Sequence, residues 1–277
     1  MTCRRDIVEK IMTCPVCRAQ LSVTDDGKSA FCFGARRHCF DFAKEGYLSM
    51  PGNSGGDSKE AVAARTGFLS RGYYADAAKF VCDTVSQYIP GDAVIIDAGC
   101  GEGYYTEQLA KRAQMTLGFD LSKFAASAAA KRATRQGVDN LFYATASVFS
   151  LPVKDACADA VVNVFAPCAE DEYARVLKEG GYLFVVGAGK DHLMGLKRAI
   201  YDDVYENGDR ADLPKKMQFV GRVSKKYTSK INGEADIAAL FSMTPYYWRT
   251  SEADKDKLQA LDTLKTEIEF EINIYRK

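Results

Sequence analysis

The stretch Asp97-Ala98-Gly99-Cys100-Gly101-Glu102-Gly103 decides the fold. It follows the short apolar run Val94–Ile96 and opens a helical pattern over Tyr104–Arg112. Glycines in a strand-to-helix turn let the backbone approach a ligand closely. Asp120 closes the next apolar run, Met115–Phe119, 17 residues after Gly103. A carboxylate at that strand end can accept the hydroxyls of a ribose. A plain tight turn or a dinucleotide site would also use glycines. A dinucleotide site, however, wants its third glycine where Tyr104 stands. Asp97, ahead of the glycines, would repel a pyrophosphate and would suit a cationic amino acid moiety.

Working outward, strand and helix signals alternate. Lys123–Gln136 is alanine-rich, helical, and stopped by Gly137. Strands follow at Leu141–Tyr143, Ala160–Phe165 and Tyr182–Val186, with a helix expected over Glu170–Leu177 and ended by Gly180-Gly181. Ahead of the turn, helical patterns cover Val62 to Leu69 and Ala75–Tyr88. This alternation predicts an α/β fold with a doubly wound parallel sheet. Near the end, Ile268, Phe270, Ile272 and Ile274 alternate with Glu267, Glu269, Glu271 and Asn273, which predicts a half-exposed antiparallel edge strand. The pattern D-x-G-x-G-x-G with a later acid resembles the S-adenosylmethionine-dependent methyltransferases. The ligand of those enzymes carries an ammonium and a sulfonium and no phosphate.

The chain has 277 residues, with 37 basic and 37 acidic, so bulk charge cannot coat a nucleic acid. Any RNA contact must be local. Arg210, Lys215, Lys216, Arg222, Lys225, Lys226 and Lys230 form a basic stretch that is either an RNA contact or a solvated face. The first residues, MTCRRDIVEKIM, lack the apolar region of a secretory signal, and no run of 18 apolar residues exists. A cytoplasmic protein without a membrane span is the expectation.

Nine cysteines, five of them before residue 40, argue for metal rather than disulfides in that compartment. Cys14-Pro15-Val16-Cys17 is a C-x2-C knuckle, followed by Cys32 and His38. Four such ligands suit a closed, structural tetrahedral zinc, with Cys39 an alternative to His38. Residues 1–45 therefore read as a small zinc module, 46–75 as a linker, loop and helix, and 76–277 as the catalytic domain. The breaker cluster Met50 to Ser58 marks the joint. Arg18, Arg36 and Arg37 would be displayed on the knuckles for RNA, unless they are simply solvated.

Taken together these residues resemble the bacterial 23S rRNA (guanine-N1)-methyltransferases of the RlmA and TlrB group. The carrying segments are Cys14 to Cys17 with Cys32 and His38, Phe40-Asp41-Phe42-Ala43-Lys44-Glu45-Gly46-Tyr47, Gly56-Asp57-Ser58 and Ala64-Arg65. Phe68-Leu69, Gly72-Tyr73-Tyr74, Asp97 to Tyr105, Asp120 to Lys123, Ala166-Pro167-Cys168, His192-Leu193-Met194, Met243-Thr244-Pro245 and Trp248-Arg249 complete it. One departure is the second zinc pair, which reads C-x5-H here where the family has C-x3-H.

The resemblance implies a zinc module that helps recognise an rRNA hairpin, methyl transfer from S-adenosylmethionine to N1 of one guanine, and a homodimer. One specificity within the family confers macrolide resistance. It also implies cofactor contacts at Tyr74, Glu102, Gly103 and His192. Asp97, Gly99, Gly101 and Asp120 follow from the glycine turn, and Ser147 with Ala146 would border the adenine. The acceptor pocket is expected near Asn163 to Pro167, where Phe165 would stack on the base or fill the core. The general base is open between His192, if neutral, and water helped by a carbonyl of Ala166-Pro167. The competing readings are a small-molecule methyltransferase and a nonenzymatic RNA-binding module.

Overall fold

The computed structural model describes residues 4–51, 55–208 and 210–277. Cys3 and the Gly52-Asn53-Ser54 part of the expected joint lie outside them. The elements run α1 (Arg4–Ile11), β1 (Leu21–Val23), β2 (Ser29–Cys32), β3 (Cys39–Asp41), α2 (Lys59–Ser70), α3 (Ala75–Ser86), β4 (Val94–Ala98) and α4 (Thr106–Ala110). They continue with β5 (Met115–Asp120), α5 (Lys123–Gln136), β6 (Leu141–Thr145), β7 (Ala158–Val164), α6 (Glu170–Val176) and β8 (Leu177–Ala188). The chain ends with α7 (Met194–Ile200), β9 (Gln218–Asn232), α8 (Glu234–Ser242), α9 (Glu252–Gln259) and β10 (Thr263–Arg276).

The large sheet has the order β6-β5-β4-β7-β8-β10-β9. Its first five strands are parallel, as the alternating pattern predicts, and β10 joins antiparallel to β8. The parallel strands are buried on both faces, which explains their unbroken apolar runs. Because β4 pairs with both β5 and β7, the strand order reverses there. In doubly wound sheets that reversal opens a crevice at the carboxyl ends of the strands. The alanines of α5 let it lie close on the sheet, burying Ala125, Ala126, Ala129, Ala130 and Ala133. Ser122 caps α5 by accepting from the Ala125 amide, a bond of about 1 kcal/mol.

Several expectations are corrected. Leu177 is the first residue of β8 and not the end of a helix, and Gly180-Gly181 lie inside that strand. The helix after the glycine turn is only Thr106–Ala110. β10 is not the edge: β9 pairs with it from Gln218 to Asn232 and covers it. β9 carries little apolar signal because only Ile231 on it is buried; backbone pairing holds it there. The acids of β10 are half-buried because each finds a donor. Glu267 accepts from the Gly195 amide at 2.8 Å, Glu269 from the Asp191 amide at 2.7 Å, and Glu271 pairs with Arg222 at 3.3 Å.

The N-terminal residues form a three-stranded antiparallel sheet, β1-β2-β3, beside α1. Its core is continuous with one face of the large sheet: Ile7, Val8, Met12 and Leu21 share a cluster with Leu117, Phe142, Leu151 and Val153. Met12 bridges to Val153, and Leu48 pairs in parallel with Ala144, extending the β6 edge. The segment after the small sheet is therefore docked on the large one along at least Leu48.

Candidate cofactor cleft and zinc site

A deep cleft opens at the carboxyl ends of β4, β5, β7 and β8. One wall holds Gly99, Gly101, Glu102, Asp120, Ala146 and Ser147. The opposite wall holds Phe165, Ala166, Pro167, Ala188 and His192. α2 and α8 close it with Leu69, Leu240 and the turn Met243-Thr244-Pro245-Tyr246, and Tyr74 ahead of α3 adds a buried ring. The motif segments scattered through the chain thus converge on one cavity.

The glycine turn is built to be close. A Cβ on Gly99 would lie 2.4 Å from the Ala166 side chain across the cleft, so only glycine lets the walls meet. Asp120 is tied at both oxygens, accepting from the Gly101 amide at 2.9 Å and the Ser122 amide at 2.8 Å. Burial raises its carboxyl above the usual range despite those amides. Glu102, buried on the same wall, receives Arg65 Nε at 2.6 Å, and Arg65 also pairs with Asp57. Asp97 is not on the cleft surface. It lies beneath the turn, accepts from Thr106 Oγ1 at 2.6 Å, and burial pushes it up to about 7. Ser147 is on the wall and accepts from the Phe149 amide at 3.3 Å.

The acceptor-side candidates have distinct roles. Phe165 is half exposed, so it is a wall residue and not core filler. It adopts φ 53°, a conformation that costs a bulky residue about 1 kcal/mol or more. Its ring stacks on His192 at 5.9 Å between centroids. His192 Nδ1 accepts from the Glu269 amide at 3.1 Å, which leaves Nε2 as the protonated nitrogen. Burial holds the imidazole down at about 3. With Nδ1 taken by that amide and the hydrogen on Nε2, it lines the cleft as a neutral hydrogen-bond donor. Asn163 is fully buried and donates to the Pro167 carbonyl at 3.0 Å and to Tyr173 Oη at 2.9 Å. Arg210 donates to the Ala166 carbonyl at 2.8 Å. Both candidate carbonyls are thus engaged within the protein, and Asn163 positions the loop rather than reaching the cleft.

The small sheet brings four ligand atoms together. Those of Cys14, Cys17, Cys32 and His38 all lie within 4.8 Å of one another. His38 Nδ1 sits 3.6 Å from Cys14 Sγ and 3.4 Å from Cys32 Sγ, and Cys17 Sγ is 3.6 Å from Cys32 Sγ. Bonds of roughly 2.3 Å to zinc predict tetrahedral edges near those lengths. The set fits zinc, with no position left open. Cys39 is exposed and outside the cluster, so His38 and not Cys39 completes the set, despite the longer spacing. A Cβ on Gly34 would approach Cys17 Sγ to 2.8 Å, so the second knuckle requires glycine.

A family model described as a methyltransferase domain matches residues 95–181, and one described as RlmA, N-terminal, a zinc ribbon, matches residues 12–53. The chain is a methyltransferase with an RlmA-type zinc ribbon. It is 29% identical to the 23S rRNA (guanine(748)-N(1))-methyltransferase of Streptomyces fradiae, over 92% of this chain and 90% of that one. It is 28% identical to a Bacillus subtilis protein named as a candidate 23S rRNA (guanine-N(1)-)-methyltransferase, over 95% of each. A protein solved in work on the conversion of a disulfide bond into a thioacetal group during echinomycin biosynthesis has the same fold. Its TM-score is 0.50 at 16% identity, over 72% of this chain and 81% of that one.

The methyltransferase domain takes S-adenosylmethionine, and the ribbon takes a structural zinc. Several of the basic residues expected to face RNA are engaged within the protein. Arg18 donates to the Leu151 carbonyl at 2.8 Å and to Ser150 Oγ at 3.2 Å. Arg37 lies over the Phe31 ring at 3.9 Å. In the later stretch Arg210 holds Asp212, Lys216 holds Asp171 and Lys226 holds Asp191. That stretch also ends on β9, the sheet edge opposite β6, where the segment after the ribbon docks. Among the described residues no helix is long and apolar enough to cross a membrane. Arg65, Tyr105, Phe149 and Asn207 line the cleft without having been singled out as site residues. Arg65 and Tyr105 carried a signal, through their places in the Ala64-Arg65 and Asp97-to-Tyr105 segments.

Proposed function

We propose that this protein transfers a methyl group from S-adenosylmethionine to N1 of a guanine in a 23S rRNA hairpin. The observation that carries the reading is one cleft joining a glycine-turn wall to a half-exposed aromatic wall, with an RlmA-type ribbon docked beside it. The names of the relatives support the substrate class.

In this reading Asp120 and Ser147 hold the nucleoside end of the cofactor, and the glycine turn admits its backbone contacts. The Nε2–H of His192 and the buried Tyr74 ring hold the amino acid end. Bound there, the cofactor supplies a methyl group already activated on a sulfonium. Phe165 takes the extruded base on its exposed face, because a base must leave its stack before its Watson–Crick edge can react. As N1 bonds to the methyl carbon, the carbon–sulfur bond breaks and the N1 proton leaves. His192 is a donor, so that proton goes to water. Positioning then supplies much of the rate. Zinc, held by Cys14, Cys17, Cys32 and His38, keeps the ribbon rigid. Action on ribosomal RNA implies a cytoplasmic location, and the resemblance carries a homodimer, which sedimentation of the purified protein tests.

The test is incorporation of labelled methyl from S-adenosylmethionine into 23S rRNA beside 16S rRNA. Label in 23S alone supports the reading. Label in neither, with transcripts and with ribosomal particles, would sink it.

A further inference from the structure

Two large aromatic rings stand in solvent, one at the cleft and one on the ribbon. Phe149 lies on the lip of the cleft and is 62% exposed. Phe33 follows the zinc ligand Cys32 on the second knuckle and is 75% exposed. On the first knuckle Val16 is also exposed, and Phe31 meets Phe33 edge-on with Arg37 against its face. Solvated phenylalanines at a knuckle and at a cleft mouth suit the faces of unpaired bases, which every base can offer.

Arg18 ties the two places together. It follows Cys17 directly and adopts φ 61°, a conformation that costs a non-glycine residue free energy. From there its guanidinium reaches Leu151 and Ser150, the residues next to Phe149. The contact spans 133 residues of chain and fixes the knuckle against the lip.

We propose that Phe33 and Phe149 are two stacking stations on one track for unpaired nucleotides flanking the target guanine, held at fixed spacing by Arg18. This rests on the reading that the substrate is 23S rRNA. Phe33 and Phe149 contact the RNA, whereas Arg18 is a positioning residue. The track lies on the ribbon side of the sheet, away from the basic β9 edge. The opened hairpin continues from the Phe165 wall over Phe149 to the knuckle, where the exposed Arg36 supplies charge of the sign a phosphate backbone needs.

The test uses the full-length, zinc-loaded protein and steady-state methylation of 23S transcripts, with cofactor affinity and zinc content measured on every variant. Phe149→Ala and Phe33→Ala should each raise the KM for RNA roughly tenfold. Cofactor affinity and zinc content should stay at the wild-type level. Phe149→Trp should restore the KM, and Arg18→Ala should raise it with both rings present. An unchanged KM in either alanine variant overturns the two-station track. Weaker cofactor binding in Phe149→Ala with the RNA KM unmoved assigns that ring to the adenine instead. A wild-type protein that methylates no 23S RNA removes the underlying reading, and the track with it.

Discussion

The backbone amide of Glu269 donates to Nδ1 of His192 at 3.1 Å. This one bond crosses from the antiparallel strand β10 to the loop after the parallel strand β8. It sets the tautomer of the histidine and aims its Nε2–H along the acceptor wall. The strand that the alternating Ile/Glu pattern foretold thus has a role at the site.

His192 should not titrate in the working range. Its folded value, about 3, lies below the unfolded 6.5. The folded state then binds fewer protons, so this group costs stability as pH falls from 6.5 toward 3. His192→Gln keeps a donor and should lose that acid sensitivity, seen as a flatter melting temperature between those values. Its kcat should exceed that of His192→Ala, and neither variant should shift the pH profile of kcat.

Arg65, on α2, links Asp57 just ahead of that helix to the glycine turn at Glu102. Arg65→Ala leaves Glu102 buried without its cation, a loss of about 3 kcal/mol or more in comparable sites. Calorimetry should show a lower melting temperature and weaker cofactor binding, with Arg65→Lys recovering part of both.

Arg210 separates a structural from an RNA-binding account of the basic stretch. It holds the Ala166 carbonyl, the Val186 carbonyl and Asp212, which in turn accepts from the Cys168 amide. Arg210→Ala should therefore lower kcat by loosening the Phe165–Cys168 loop. The salt dependence of RNA binding should stay unchanged, since that slope counts phosphate contacts.

Zinc should be stoichiometric and removable. Cys14→Ser, Cys17→Ser, Cys32→Ser or His38→Ala should lose the metal, whereas Cys39→Ser should keep it, as measured by metal analysis. Because Met12 and Leu21 share a core with Val153, chelation should lower the melting temperature of the whole chain and not of the ribbon alone.

The parallel sheet was legible in the sequence because its strands are buried on both faces and so read as unbroken apolar runs. The glycine turn was legible because a strand end, close backbone approach and an acid at the next strand end must coincide in order. β9 was not legible: an edge strand needs backbone partners more than buried side chains, and its charges read as a solvated stretch. The placement of Asp97 beneath the turn and the tethering of Arg18 depend on contacts 9 and 133 residues apart, and local spacing does not encode contacts of that kind. Asn163 read as an acceptor-pocket residue because it lies at the end of the fourth expected strand. Only packing shows that its amide is spent on Pro167 and Tyr173.

The most direct test of the central claim is to react the protein and S-adenosylmethionine with 23S rRNA, identify the modified nucleoside and map it by reverse-transcription arrest. The account predicts N1-methylguanine at a single hairpin guanine, because a methyl on N1 blocks the pairing edge and stops the polymerase. Methyl groups on another atom or another base, or none at all on 23S rRNA, would contradict it.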